Sequence, residues 1–399
     1  MASRVDWYTA ARALPFQEGR VHRIAVFLGI PLAAVGLALA GIATATESTT
    51  LAQAGQPLTI VTGQGQGPIA EEDFIGDPAL GGNTVRVTTG STVIWKVMSD
   101  EIHTVTFPGD GPIPDVFIPQ EDPSLPGMFN PQIVFPTVPD GPWDGRSFIH
   151  VELPTDGPQL AVTFARPGTY DFLCLFHVNM KGRVQVVPPG SAGITTQAAL
   201  DAQATAIDAI RQTQAAEILA ERGSATRIEG GRGTDLWFVR AGTDTRNGNL
   251  DIQAFLPGDL TISQGDTVVW YVDHLQPHTV TFRPTDGSSV DLFVLQFPDG
   301  TVLSPPAPGQ PLPPEVLAAM HDPDSAPRVV FGPGAERTTN PIYDGRSLYS
   351  SGIIGEHPRI TVPLDKVWAL TFNTPGTFSY SCLLHEDLGM KGTITVQSR

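Results

Sequence analysis

The chain has 399 residues, enough for two or three domains that each have their own core. Charged residues make up only 16%, whereas glycine (41) and proline (37) are abundant, which is typical of strands joined by turns and long loops. Asp and Glu outnumber Lys and Arg by 41 to 24, giving a formal net charge of −17. Nucleic acid is therefore not expected as a partner, because phosphate binding needs basic surfaces.

The first predicted element is an apolar segment at residues 24–45, which contains no charged residue. It is long enough to cross a bilayer as a helix, and the four arginines before it mark residues 1–23 as a cytoplasmic leader. The small residues at 43–45 also match a cleavage site, so the segment is interpreted as a retained anchor or a cleaved signal. We expect the rest of the chain outside the cytoplasm, at the cell membrane or, after cleavage, secreted or periplasmic.

An internal repeat follows a short linker at residues 46–55. The block 90–107 (GSTVIWKVMSDEIHTVTF) matches 265–282 (GDTVVWYVDHLQPHTVTF), and 167–187 matches 375–396. Shorter matches join Leu-Thr-Ile-Val at 58–61 to Leu-Trp-Phe-Val at 236–239, and Trp-Asp-Gly-Arg-Ser at 143–147 to Tyr-Asp-Gly-Arg-Ser at 343–347. The repeat predicts two copies of one domain, at residues 56–190 and 228–399.

Each copy is predicted to consist of strands. Residues 92–97 and 267–272 are rich in β-branched and aromatic side chains between turn-forming residues, and residues 169–174 alternate after a Pro-Gly turn. The glycine-rich run at 63–67 lacks the Lys-Ser/Thr ending of a phosphate-binding loop, so we interpret it as an ordinary loop.

One helix is predicted between the copies, in a linker at residues 191–227. Residues 197–222 contain neither glycine nor proline, and Leu200, Ile207, Ile210 and Ile218 recur at roughly helical spacing. Its acidic and amide side chains are expected to form a solvated face.

Two cysteines, Cys174 and Cys382, occupy the same position of the two copies. A disulfide is the ordinary interpretation in an exported protein. However, each cysteine is followed by a histidine and a methionine, and a further histidine precedes it in a Thr-Val-Thr-Phe segment. Two imidazoles, a thiolate and a thioether form the ligand set of a blue-copper site. The two sets are His103, Cys174, His177 and Met180, and His278, Cys382, His385 and Met390.

These motifs resemble the cupredoxin family. Residues 265–282 with 375–396 are similar to plastocyanin and pseudoazurin, including the H-x4-M-K-G ending, and residues 90–107 with 167–187 resemble amicyanin, which has a shorter loop. The resemblance implies an all-β fold of two tandem Greek-key β-sandwiches joined by the helical linker. It also implies two type 1 coppers, held by the eight residues above, and one-electron transfer.

The resemblance does not extend to the long insertions between the first histidine and the cysteine of each copy. These insertions lie within residues 104–173 and 279–381, and both contain the aromatic-Asp-Gly-Arg-Ser element. We expect that element to form a turn leading into a strand, with docking to a partner or shielding of copper as the alternative role.

An electron carrier is the function that these features predict, with a basic cytochrome or a membrane oxidoreductase as candidate redox partners. The alternative is a copper enzyme of the nitrite reductase or multicopper oxidase type, in which histidines stand on both sides of the cysteine. Leu173 and Ser381 precede the cysteines here, so we expect no His-Cys-His motif and predict that the chain is not an enzyme. Copper storage or delivery is a second alternative, disfavoured by the presence of only six methionines.

Overall fold

The computed structural model describes residues 56–122, 126–134, 136–153, 159–245, 247–305, 313–319 and 325–399. The predicted membrane segment at 24–45 lies outside these ranges. Among the residues described, no helix combines the length and the apolar character needed to span a bilayer.

Strands dominate the described part of both copies, as predicted. In the first copy they are β1 (Leu58–Gly65), β2 (Ile69–Phe74), β3 (Thr84–Thr88), β4 (Thr92–Ser99), β5 (His103–Phe107), β6 (Phe117–Ile118), β7 (Met128–Phe129), β8 (Ile149–Leu153), β9 (Leu160–Thr163), β10 (Gly168–Leu173) and β11 (Lys181–Val187). Helix α1 (Gln197–Arg222) follows.

The second copy repeats this order. Its elements are β12 (Thr226–Glu229), β13 (Asp235–Asp244), β14 (Leu250–Leu256), β15 (Asp259–Ser263), β16 (Thr267–Tyr271), β17 (Thr281–Phe282), β18 (Phe293–Gln296), β19 (Val302–Leu303), α2 (Pro314–Ala319), β20 (Arg328–Phe331), β21 (Ile342–Tyr343), β22 (Tyr349–Ser350), β23 (Val367–Phe372), β24 (Gly376–Ser381) and β25 (Lys391–Gln397). Short 3-10 turns occur at Pro78–Leu80, Pro131–Ile133, Gly231–Gly233, Pro333–Ala335 and Glu386–Leu388.

Each copy packs two sheets face to face around its own core. The sheet β3-β11-β10-β5-β8 faces β2-β1-β4-β9 in the first copy, and β15-β25-β24-β17-β22 faces β14-β13-β16-β23-β21 in the second. Along β4 the side chains alternate, so that Val93, Trp95 and Val97 point into the core. Trp95 and its counterpart Trp270 are fully buried, and burial of each aromatic side chain contributes about 1.5–3 kcal/mol.

The two copies share one sheet, which we call the joint sheet. The edge strands β2 and β14 pair in antiparallel fashion, so hydrogen bonding runs without interruption from β21 to β9. The paired residues are Ile69 with Ile252, Ala70 with Asp251, and Glu71 with Leu250. Because this ladder is continuous, the two copies are held in one fixed relative orientation.

The paired edge strands are equivalent elements of the two copies. Each pairs with a preceding strand that is interrupted by a bulge, between Thr62 and Gln64 in β1 and between Ala241 and Thr243 in β13. The residues opposite Thr62 and Ala241 are Phe74 and Phe255. Ala70 lies four residues before Phe74, and Asp251 lies four residues before Phe255, so the two residues occupy equivalent positions. They also pair with each other. An approximate two-fold axis therefore passes through that pair.

The insertions of both copies build a further sheet together, the cap sheet, in the order β19-β18-β20-β7-β6. Met128 of β7 pairs with Val330 of β20 and joins the two insertions. The buried side chains of the cap sheet form a third core with Leu173, Leu175 and Leu383, which lie beside the two cysteines. The insertions therefore cover both cysteine loops.

The aromatic-Asp-Gly-Arg-Ser elements form turns, as predicted. Asp144 accepts a hydrogen bond from the backbone N–H of Arg146 at 3.1 Å, and Asp344 accepts one from that of Arg346 at 2.8 Å. The turns lead into β8 and β22, which pair with β5 and β17, the strands that begin at His103 and just after His278.

Helix α1 has the predicted bounds but a different buried face. It lies against β1, β2 and β14 of the joint sheet. Arg211 is buried and donates to Asp73 of β2 from Nε at 2.9 Å and Nη2 at 2.8 Å, whereas Ile210 is 50% exposed. The polar side chains therefore attach the helix to the sheet and do not form only a solvated face.

Candidate metal centres

The first group consists of His103, Cys174 and His177. His103 begins β5, and Cys174 directly follows the last residue of β10. The loop after Cys174 is closed by two backbone hydrogen bonds, Cys174 N–H to Met180 O at 3.0 Å and Met180 N–H to His177 O at 3.1 Å. Met180 is 1% exposed and belongs to the same core cluster as Cys174.

The side chains of the first group converge. The Nδ1 atoms of His103 and His177 are 3.0 Å apart, and the Cys174 Sγ lies 3.3 Å from the His177 Nδ1. The backbone N–H of Thr104 donates to this sulfur at 3.3 Å. All three side chains are buried, and their candidate ligand atoms lie within 4.8 Å of one another.

The second group, His278, Cys382 and His385, repeats this geometry. Its Nδ1 atoms are 3.1 Å apart, and the Cys382 Sγ lies 3.5 Å from the His385 Nδ1 and 3.8 Å from the His278 Nδ1. The backbone N–H of Thr279 donates to the sulfur at 3.3 Å. Met390 is fully buried, and its carbonyl accepts the Cys382 N–H at 3.0 Å. The loop is longer than in the first copy and contains the turn at Glu386–Leu388.

The donor atoms in both groups fit a soft or borderline metal. A metal–imidazole distance is about 2.0 Å, so two nitrogens 3.0–3.1 Å apart can bind one ion. Two nitrogens and one sulfur, without a carboxylate, favour copper over magnesium or calcium. Cys174 and Cys382 are both free, so they do not form the alternative disulfide.

Burial sets the protonation of these groups. It lowers the pKa of His103 to about 3 and lowers the pKa values of His177 and His278 well below the usual range, so these imidazoles are neutral at pH 7. It raises the pKa of the Cys174 thiol and raises that of Cys382 to about 11. A metal ion that binds must therefore displace the thiol proton, whereas these imidazoles have already lost theirs.

The outer nitrogens of the histidines also have partners. The Nε2 of His103 lies 2.9 Å from the Ser99 Oγ, and the Nε2 of His278 lies 3.0 Å from the Nε2 of His274. Such contacts fix the orientation and tautomer of a ligand histidine. His274 is not among the predicted ligands, although it lies only four residues before His278 in the sequence.

Two glycines that sequence reasoning missed lie against the first histidine of each group. Gly63 (φ +65°) and Gly242 (φ +74°) form the bulges of β1 and β13. A Cβ on Gly63 would lie 2.0 Å from the His103 Nε2, and one on Gly242 would lie 2.2 Å from the His278 Nε2. The interpretation of Gly63 as part of an ordinary loop is wrong, because it lies within a strand and makes room for the imidazole.

Polar side chains lie between the two groups, beneath the cap sheet. The Glu72 Oε1 lies 3.3 Å from the His177 Nε2, and Gln276 donates to the same oxygen at 3.3 Å. Burial is the main cause that raises the pKa of Glu72, and it raises that of Asp251 to about 7. Because burial also lowers the pKa of His177, the imidazole is neutral at pH 7 and its contact with Glu72 is not an ion pair.

A cavity of about 120 Å³ lies between the two groups, beneath the cap sheet. His177 of the first group and His385 of the second group both line it, and so does His357. The Nδ1 of His357 accepts from the backbone N–H of Arg359 at 3.2 Å, and its Nε2 lies 3.2 Å from the Phe176 carbonyl oxygen.

Each copy thus brings two histidines to one cysteine. The prediction that the chain has no His-Cys-His arrangement, and therefore is not an enzyme, is wrong on this point, because two such groups form within metal-binding distance. A His-Cys-His motif in the sequence consists of adjacent residues, whereas His278 lies 104 positions before Cys382. Pairing of the strands, which a local motif cannot show, brings them together.

Comparison with known proteins gave structural matches only. No family model and no curated protein matches the chain. Amicyanin from Paracoccus versutus is 18% identical, and the match covers 35% of this chain and 87% of amicyanin. Plastocyanin from Dryopteris crassirhizoma is also 18% identical, and the match covers 40% of this chain and 99% of plastocyanin. The TM-score of each match is 0.20. At that TM-score neither match supports an inference about function, which rests on the residues described above.

Proposed function

We propose that the chain is an electron-transfer protein that holds one type 1 copper in each copy. The observation that supports this most directly is the convergence, in both copies, of two buried Nδ1 atoms and a buried thiol within 4.8 Å. The methionine that closes each cysteine loop, Met180 or Met390, would supply the weak axial ligand. When bound to such a set, copper provides reversible one-electron chemistry.

The chain's own residues prepare the ligands for that role. The backbone N–H groups of Thr104 and Thr279 point at the sulfurs and would stabilise the thiolate charge. Ser99 and His274 hold the outer edges of the first histidines. The cap sheet excludes water, since His177 is 2% exposed and His385 is 7% exposed.

The two groups are close enough in structure to serve one relay. Glu72 contacts His177 of the first group, and Gln276, which donates to Glu72, lies two residues before His278 of the second group. A predicted ligand of one group is thus connected to a predicted ligand of the other by a 3.3 Å side-chain contact, one hydrogen bond and a short stretch of backbone. The continuous joint sheet keeps this connection in place.

We further propose a redox protein with a basic surface, such as a cytochrome or a membrane oxidoreductase, as the partner. The net charge of −17 favours such a partner electrostatically. Because the cap sheet covers the ligand histidines, the partner would dock on the cap sheet or at its edge and not on the imidazoles themselves.

Copper loading of the full chain tests the proposed function. We expect two coppers per chain and a blue oxidised form, because a copper–thiolate site absorbs visible light intensely. Metal analysis and the visible spectrum measure both. A chain loaded with zinc should be colourless and serves as the control. One copper per chain, or two coppers without the thiolate band, would contradict the proposal.

For localisation, we propose that residues 24–45 anchor the chain with both copies on the extracytoplasmic side. Cell fractionation is expected to recover the full chain with membranes and to release it only with detergent. Protease added to intact spheroplasts should digest the copies, whereas a cytoplasmic marker protein should survive. A soluble mature chain beginning near Thr46 would show instead that the segment is a cleaved signal.

A further inference from the structure

The cavity between the two groups has the size of a small ring. Its volume of about 120 Å³ is close to the roughly 150 Å³ of an apolar cavity that binds benzene. Residues from both copies and both insertions form its wall, so it exists only in the assembled chain. The apolar part consists of Ile102, Val116, Phe117, Phe129, Phe176, Pro277, Leu292, Phe293, Ile360, Leu383 and Leu384.

The polar part of the wall selects the kind of molecule that fits. Glu101, Glu152 and Gln276 line the cavity beside the histidines. The carboxyl groups of Glu101 and Glu152 offer oxygens that can accept a hydrogen bond, so they favour a molecule with an O–H group. The net charge of −17 opposes the entry of an anion. The phenylalanines favour an aromatic ring, which packs edge-to-face against other rings.

We infer that this cavity binds a single-ring phenol, the class that includes dihydroxybenzenes. Its ring lies among the cap-sheet phenylalanines, and its hydroxyl reaches a wall carboxylate. Such an occupant contacts His177 of the first group and His385 of the second group at once. Binding itself requires no copper, so this inference and the proposed function can fail separately.

Fluorine NMR on the metal-free full chain tests the inference with 4-fluorophenol as the probe. We expect saturable binding at one site and displacement by excess phenol. Fluorobenzene, which lacks the hydroxyl, should bind about tenfold more weakly or worse, and the anion 4-fluorobenzoate should not bind detectably. Equal affinity for fluorobenzene and 4-fluorophenol, or tighter binding of 4-fluorobenzoate, would overturn the assignment to phenols.

Two variants locate the site. Val116→Trp fills the cavity and should abolish binding, whereas the matched Val302→Trp, on an exposed position of β19, should leave it unchanged. Glu152→Leu removes one hydrogen-bond acceptor and should weaken the binding of 4-fluorophenol without weakening the binding of fluorobenzene. A misfolded variant would not show this difference between the two probes. Binding that survives Val116→Trp would place the ligand elsewhere, and so would an equal response of both probes to Glu152→Leu and also to Glu101→Leu. In the copper-loaded chain, phenol should also shift the visible band. Copper uptake without any phenol binding would refute the inference of a phenol site and leave the proposed function standing.

Discussion

Replacement of Cys174 by alanine is expected to leave one copper per chain, held by the second copy, and Cys382→Ala should leave the one held by the first. The thiolate is the only anionic ligand of each group, so its loss should weaken copper binding by more than the roughly 100-fold seen when an outer partner of a ligand is removed. Copper analysis and the intensity of the visible band measure the loss. The double variant should be colourless.

The same two variants separate the midpoint potentials of the sites, which we expect to differ by about 59 mV or more, a tenfold interval for one electron. Two residues separate His177 from Met180, whereas four separate His385 from Met390. The Nε2 of His103 contacts the hydroxyl of Ser99, whereas the Nε2 of His278 contacts the imidazole of His274. Ser381 does not add to this difference, because its hydroxyl donates to Glu386 at 2.9 Å. Equal midpoint potentials would show that the loop lengths have no redox effect. For the copper-binding prediction, retention of both coppers in Cys174→Ala would exclude the assignment of Cys174 as a ligand.

Gly63→Ala is expected to abolish copper binding in the first copy alone, and Gly242→Ala in the second alone. The added methyl group would lie 2.0 or 2.2 Å from the Nε2 of His103 or His278, so the ligand ring must leave its position. Both glycines also have positive φ, which costs an alanine roughly 1–2 kcal/mol. Copper content and the visible band of each variant provide the measurement.

A matched control distinguishes displacement of the ligand from backbone strain. Gly90 has a φ of +86°, but a Cβ there would meet nothing within 4 Å. Gly90→Ala should therefore lose a similar amount of stability in thermal unfolding and still bind two coppers. If Gly63→Ala also retained two coppers, the imidazole would have another position available, and the close packing of the glycine would not matter for the site.

The cysteine loops were predictable because their information is local. The order Cys174, His177, Met180 lies within seven consecutive residues, and strand β11 begins at the next residue. Helix α1 was predictable because 26 residues without glycine or proline favour one structure. The buried face of helix α1 was not predictable, because the burial of Arg211 depends on Asp73, a partner 138 positions away.

The joint sheet and the cap sheet could not be read from the sequence. Strand β2 begins Ile-Ala-Glu-Glu-Asp, which has no clear alternation, because both of its faces are covered and Ala70, Glu71 and Glu72 are all buried. Strands β6 and β7 are only two residues long, too short for any pattern to show. Gly63 and Gly242 follow matched segments of the repeat, but the sequence did not reveal that a bulge there faces a histidine.

The pairing of β2 with β14 is the contact that two identical subunits would make around a two-fold axis. A homodimer of single copies would place the same residue on both sides of that axis. In a single chain this constraint does not apply, and the two positions differ. Ala70 faces Asp251, whereas a dimer of the second copy would oppose two buried carboxyl groups. The single chain thus keeps the geometry of a symmetric dimer while allowing its two His/Cys groups to have different surroundings. The first copy expressed alone would expose this edge strand and is expected to associate with itself through it.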